Sequence, residues 1–338
     1  MTSGYQYIQA LTLPSSPARV NPASGDPVRI GVVQHAWGAD AIELSDHLGE
    51  GIGLAARAGA RIVFLPELTL SRYPADVLPS GIPVESAEDL LEGPTFAFAA
   101  RAAAEHGISV HASLYERDAL AGDRGLNTAF IVSPSGELVA KTHKLHIPVT
   151  AGYYEDEYFR AGPAGGAAPE SVGPYPVCPL AGIPGIRLGL PTCWDEWFPE
   201  VARAYSLGGA NVVVYPTAIG SEPDHPNFDT QPLWQQVIVG NGIANGLFMV
   251  VPNRTGSERR PDGEPGNTFY GSSFVSDPYG RILAQAPRDK EAVMVVDLDL
   301  AQRGDWLDLF PFLKTRRPDT YASLVRPVDQ ASPYGAQA

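Results

Sequence analysis

Gly59-Ala60-Arg61-Ile62-Val63-Phe64-Leu65-Pro66 returns in the second half of the chain as Gly209-Ala210-Asn211-Val212-Val213-Val214-Tyr215-Pro216. Each copy is a short apolar run, opened by glycine and closed by proline, and reads as a buried strand. Three further pairs keep the same order around it. Arg29-Ile30-Gly31-Val32 matches Arg187-Leu188-Gly189-Leu190, and Gly107-Ile108-Ser109-Val110 matches Gly246-Leu247-Phe248-Met249. Residues 130–140, which carry Ser133-Pro134-Ser135-Gly136, match residues 274–284, which carry Asp277-Pro278-Tyr279-Gly280. The spacing between partners drifts, as insertions require, and a period this long is no solenoid.

The repeat describes two similar β/α halves. Between Arg29–Val33 and Arg61–Leu65, the side chains Ile42, Leu44, Leu48, Ile52 and Ala55 fall near one helical face. The spacing therefore predicts a helix from about Ala41 to Ala58, with Gly59 as its stop. Buried strands need cover on both faces, and an amphipathic helix needs a sheet. Two sheets packed together with helices outside meet both needs. The predicted fold class is α/β, a four-layer α-β-β-α sandwich of two pseudo-repeated halves.

Residues 1–28 read as an irregular arm and residues 29–300 as one domain. Residues 301–338 form a tail whose Trp306, Phe310 and Phe312 are too apolar to stay in water, so arm and tail are candidates for subunit contacts. Loops are predicted at 162–174 and 261–266. The 24 basic and 38 acidic side chains give a net charge of -14, which disfavours nucleic acid and anionic membrane surfaces. Two cysteines are too few for a disulfide framework or a structural zinc site. With no apolar stretch of membrane-spanning length and no leader pattern, the cytoplasm is the expected location.

Three positions suggest chemistry. Cys193 lies between the strand at 186–190 and a helix opened by Pro199-Glu200. That setting exposes a side chain and brings backbone N–H groups and a helix dipole near, which favours a thiolate. Cys178, between Pro176 and Pro179, has no such setting and is expected to be inert. Glu67 follows the apolar run 62–65, and carboxylates at the C-terminal ends of buried strands line clefts in α/β folds. Lys144 stands in Lys141-Thr142-His143-Lys144-Leu145-His146-Ile147-Pro148. His143 and His146, without clear carboxylate partners at a suitable sequence spacing, make a weak ligand set, so no metal is expected.

Together, Phe64-Leu65-Pro66-Glu67, the Lys144 loop and Cys193-Trp194-Asp195-Glu196-Trp197-Phe198-Pro199-Glu200 resemble the nitrilase superfamily of carbon–nitrogen hydrolases. The likeness spans roughly residues 29–300, and its α-β-β-α fold agrees with the repeat. Within that family the nucleophile segment, Tyr215-Pro216-Thr217-Ala218-Ile219-Gly220-Ser221-Glu222 and Phe269-Tyr270-Gly271-Ser272-Ser273-Phe274 look most like N-carbamoylputrescine amidases. The resemblance implies Cys193 as nucleophile, Glu67 as base and Lys144 as oxyanion stabiliser. It also implies Glu155, eleven residues after the lysine, as a second active-site carboxylate. Trp194, Thr217, Ala218, Tyr73 and Glu222 become the expected oxyanion or substrate contacts.

A small ureido or amide substrate, no cofactor, and a homo-oligomer (dimer or larger) follow from the same likeness. Glu222, Asp224 or Asp229 would suit a cationic substrate tail, whereas Arg72 or Arg254 would suit an N-carbamoyl-β-amino acid. Aliphatic amidase and nitrilase activity stay open, and a non-catalytic scaffold of the same fold is the reading from another class.

Overall fold

The computed structural model describes residues 4–22, 25–118, 122–167, 173–222 and 224–328. Parts of the predicted arm, of the 162–174 loop and of the tail lie outside those residues.

The first half contains β1 (Gln6–Ala10), β2 (Val28–Gln34), α1 (Ala41–Arg57), β3 (Ile62–Phe64), α2 (Pro94–His106), β4 (Ser109–Glu116), β5 (Leu126–Val132) and β6 (Leu138–His143). A short α3 (Glu155–Tyr158) leads to β7 (Cys178–Pro179), β8 (Arg187–Gly189), α4 (Pro199–Leu207), β9 (Val212–Val214), α5 (Gln231–Asn245) and β10 (Phe248–Val251). A hairpin of β11 (Thr255–Arg259) and β12 (Pro265–Tyr270) follows. Then come β13 (Phe274–Ser276), β14 (Ile282–Gln285), β15 (Ala292–Leu298) and α6 (Gln302–Leu309).

One sheet runs β1-β15-β2-β3-β4-β5-β6 and the other β14-β13-β10-β9-β8-β7. The two halves share one pairing rule. In each, three strands pair in parallel (β2-β3-β4 and β8-β9-β10) and two more add antiparallel (β5-β6 and β13-β14). These are the segments the internal repeat pairs.

The alternation of side chains builds the layers. Ile30, Val32, Ile62 and Phe64 face Leu188, Val212, Val214 and Val250 in the core between the sheets. Val33, Val63 and Leu65 point the other way, to Leu48 and Ile52 of α1 and Phe98 of α2. Val213 and Met249 likewise meet Tyr205 of α4 and Trp234 of α5. The molecule is thus the expected four-layer α-β-β-α sandwich. Asp40 caps α1, its carboxylate accepting from Ile42 N and Glu43 N.

Equivalent glycines bring each helix onto its sheet. A Cβ on Gly31 would stand 2.7 Å from Ala55 Cβ, and one on Gly189 would stand 2.5 Å from the Tyr205 ring. Gly59 and Gly209, which end the helices before β3 and β9, hold φ of 90° and 91°.

One expectation changes. The arm is not irregular throughout, because β1 lies parallel against β15 at the edge of the first sheet. Its Gln6-Tyr7-Ile8-Gln9-Ala10 carries too little apolar signal to read as a strand alone; backbone pairing to β15 supplies what burial does not. Arm and tail also hold each other. Arg19 bridges Asp299 and Asp305 at 2.7 and 2.8 Å, and Gln302 donates to Pro14 O at 3.0 Å. Trp306 packs its ring on Tyr279, Phe310 and Phe312. Among the described residues, no helix is long and apolar enough to cross a membrane.

Candidate active site

The parallel strands of both sheets end at one place, where the chain must leave the sheet and side chains can converge. Glu67 follows β3, Lys144 follows β6, Cys193 follows β8 and Ala218 follows β9. Glu155 opens α3 beside them. Glu67, Lys144 and Glu155 are at most 1% exposed and Cys193 is 5% exposed.

Lys144 Nζ lies 3.0 Å from Glu67 Oε1 and 2.6 Å from Glu155 Oε2. Glu67 Oε1 also accepts from Asn127 Nδ2 at 2.7 Å, and Glu67 Oε2 accepts from Ala218 N at 2.9 Å. Tyr73 donates its hydroxyl to Glu155 Oε1 at 2.9 Å. Each buried carboxylate is thereby paired and oriented, as burial of charge demands.

The backbone around Glu67 is held by Arg254. Its guanidinium donates to Glu67 O at 3.0 Å, to Leu68 O and to Ser71 O at 2.6 Å, and it pairs with Glu258 at 2.5 Å. Leu68, next to Glu67, takes φ of 50°, so the turn needs this support.

Cys193 begins a short 3-10 turn, Cys193–Trp197, with φ of 42°. Its own N–H donates to Pro216 O at 3.0 Å, which ties the turn to the end of β9. Asp195 joins this turn to the lysine loop. Its carboxylate accepts from Thr192 N at 3.1 Å, His146 N at 3.0 Å and His146 Nδ1 at 2.7 Å. The His146 ring stacks on Phe198.

Burial, then the Glu67 charge, pushes the Cys193 thiol well above its ordinary range, although Lys144 pulls the other way. This reverses the thiolate expected from the strand-to-helix setting. The Cys193 side chain is nearly sealed from water, and the nearest carboxylates oppose a second negative charge. Burial also works against the Lys144 charge, yet the Glu155 and Glu67 carboxylates hold its pKa well above the lysine norm. Burial lifts Glu155 to about 7 against the pull of Lys144.

The remaining expected contacts are placed as follows. Ala218 spends its amide on Glu67, and Tyr73 spends its hydroxyl on Glu155. Thr217 gives both amide and hydroxyl to Pro252 O, at 2.9 and 3.1 Å. Trp194 is half-buried on the turn, with its ring 6.2 Å from that of Trp197. Glu222 is half-buried near Tyr153 and Tyr270, and Tyr153 in turn lies within the field of Cys193. Asp229 is taken by Arg288. Arg72 is spent on Asp76, Tyr73 O and Arg259 O, so neither it nor Arg254 is open to a substrate carboxylate.

Asn127 and Asp195 were not singled out from sequence. Asn127 is a polar residue in the apolar run of β5, a signal that could have marked it. Apart from Thr192, the partners of Asp195 come from a loop about fifty residues away, which local pattern does not reveal.

A buried thiol, a fixed carboxylate and a trapped ammonium at the strand ends of this sandwich define a hydrolase of amide-type bonds. Residues 29–308 match the carbon–nitrogen hydrolase family, and the chain belongs to that family. It is an amidohydrolase of the nitrilase superfamily, acting on carbon–nitrogen bonds other than peptide bonds. Among its relatives, a citrullinase of Francisella tularensis is 32% identical over 88% of this chain and 98% of its own. N-carbamoylputrescine amidase of Arabidopsis thaliana is 32% identical over 83% and 92%. A carbon–nitrogen hydrolase of Helicobacter pylori superposes with a TM-score of 0.77 at 30% identity, covering 89% of this chain and 99% of that one.

Proposed function

We propose that this chain cleaves the terminal ureido group of an N-carbamoyl amine, releasing ammonia, carbon dioxide and the amine. The observation that carries the reading is the Lys144 ammonium held between Glu67 and Glu155 beside the buried Cys193 thiol. Glu67 takes the thiol proton as sulfur attacks the ureido carbon. Charge builds on the former carbonyl oxygen, where Lys144 and the Trp194 N–H receive it. Glu67 returns the proton to departing ammonia, and a carbamoyl group remains on sulfur. Water, losing a proton to Glu67, adds to that carbon. The thiol leaves with a proton, and the carbamate breaks down to amine and carbon dioxide. Glu155 orients Lys144. Nucleophile, base and positive charge come from the chain, so the reaction calls for neither metal nor organic cofactor.

Two relatives, a citrullinase and an N-carbamoylputrescine amidase, share the ureido head and differ in the tail. Glu222, half-buried near the site, suits an ammonium tail of the N-carbamoylputrescine kind. The engagement of Arg72 and Arg254 counts against a carboxylate tail of the N-carbamoyl-β-alanine kind. The amino-acid tail suggested by the citrullinase is the second reading. Exposed Leu324 and Val325 in the tail favour a homo-oligomer.

The test is ammonia release from N-carbamoyl amines, citrulline, N-carbamoyl-β-amino acids, simple amides and nitriles, with Cys193→Ala and Glu222→Gln beside the unaltered chain. The expected result is Cys193-dependent release, greatest for the cationic amines, with Glu222→Gln raising KM about tenfold for those alone. Turnover by Cys193→Ala would sink the mechanism. Release only from amides or nitriles would sink the substrate.

A further inference from the structure

Glu196 lies in the nucleophile segment, and the reaction above leaves it unused. Glu196 stands three residues after Cys193 on the same short turn, its side chain is fully buried, and its charge would act on the Cys193 sulfur. Its Oε1 accepts from Trp234 Nε1 of α5 at 2.8 Å. Its Oε2 has no hydrogen-bond partner among the described residues. Asn241, also on α5, donates to Glu196 O at 3.1 Å, so one helix grips the turn at two points.

The groups around this carboxyl are Cys193 and Asp195 on its own turn, Glu67 after β3, Lys144 after β6, Tyr215 after β9 and Tyr270 at the end of β12. Lys144 is the cation of that set, and Glu67 and Glu155 already hold it. An ionised Glu196 would have one neutral donor and no free counter-charge, which burial makes costly. A carboxylic acid fits the same place without that cost. Burial and then Glu67 act in this direction, lifting its titration well above the ordinary carboxylate range.

We propose that Glu196 is a positioning residue for the nucleophile: its carboxyl anchors the turn to α5, and a negative charge placed there opposes thiolate formation at Cys193. The proposal rests on Cys193 being the nucleophile. A negative charge stored one turn away must then be released by pH before it acts, which limits the alkaline side of the reaction.

The experiment measures iodoacetamide alkylation of Cys193, resolved from Cys178 by peptide mass, and kcat/KM on a ureido substrate, both across pH. In Glu196→Gln the ratio of alkylation at about pH 9.5 to that at about pH 7 should rise about tenfold over the unaltered chain. The alkaline limb of kcat/KM should move to higher pH with it. Trp234→Phe keeps the acid but removes the donor to its ionised form, so it should also move the limb upward. Curves for both variants that overlay the unaltered chain would overturn the proposal and leave Glu196 a packing group. Turnover that persists in Cys193→Ala would instead overturn the nucleophile reading, while the alkylation ratio still reports on the link between the two side chains.

Discussion

Burial lifts the Glu155 carboxyl to about 7 although Lys144 lies 2.6 Å away, and this has a thermodynamic consequence. In the unfolded chain the group ionises near its ordinary 4.5. Between those values the folded chain holds a proton that the unfolded chain has lost, so stability falls as pH rises. Glu155→Gln removes this dependence. Denaturant titrations should give a variant whose stability gains on the unaltered chain from pH 4.5 to 7, by on the order of 3 kcal/mol. A constant difference across that window would contradict the assignment. At this scale the sequence was informative about Glu67 and Cys193, because each follows a buried strand, and about Lys144 only through the family pattern. It was silent on protonation, which depends on neighbours from other loops. The strand-to-helix setting of Cys193 suggested a thiolate, whereas burial, and then the Glu67 charge, act in the opposite direction.

The elements were legible wherever side chains alternate or repeat. The strands β2, β3, β8 and β9 and the helix α1 stood out because their apolar faces are buried on schedule. The arm strand β1, the two-residue β7 and the β11-β12 hairpin did not, because backbone pairing rather than a run of apolar side chains holds them. Gly31 and Gly189 belong to the repeat, and their role emerges only with the helices in place. A methyl at Gly31 would meet Ala55 at 2.7 Å and Val63 at 2.9 Å, and one at Gly189 would meet Tyr205 at 2.5 Å. Gly31→Ala and Gly189→Ala should each lower unfolding free energy by about 1–3 kcal/mol through overpacking. Thermal unfolding measures this directly. Equal melting temperatures for variant and unaltered chain would show that the layers can separate at no cost.

For the molecule as a whole, arm and tail are structural partners. Arg19, Ser16 and Gln302 close the arm onto the tail. Beyond that closure Leu324 and Val325 are 65% and 85% exposed. The homo-oligomer proposed above would cover them, so light scattering should return a mass at least twice that of the 36.0 kDa chain. A chain cut before Leu324 should return a smaller mass. The unaltered chain running at 36.0 kDa would refute the assembly.

The last strand of the fold sits between the first two. β15 separates β1 from β2, pairing with both. A chain emerging from the ribosome therefore makes its two opening strands long before the piece that joins them. Until residues 292–298 are synthesised, β2 shows one bare edge and β1 has no neighbour, the condition in which nascent sheets stick to one another. Closing that sheet requires a contact spanning most of the polypeptide, which slows the final step of folding. Premature termination after Tyr270 but before β15 would leave a product with the site residues present and its first sheet unfinished.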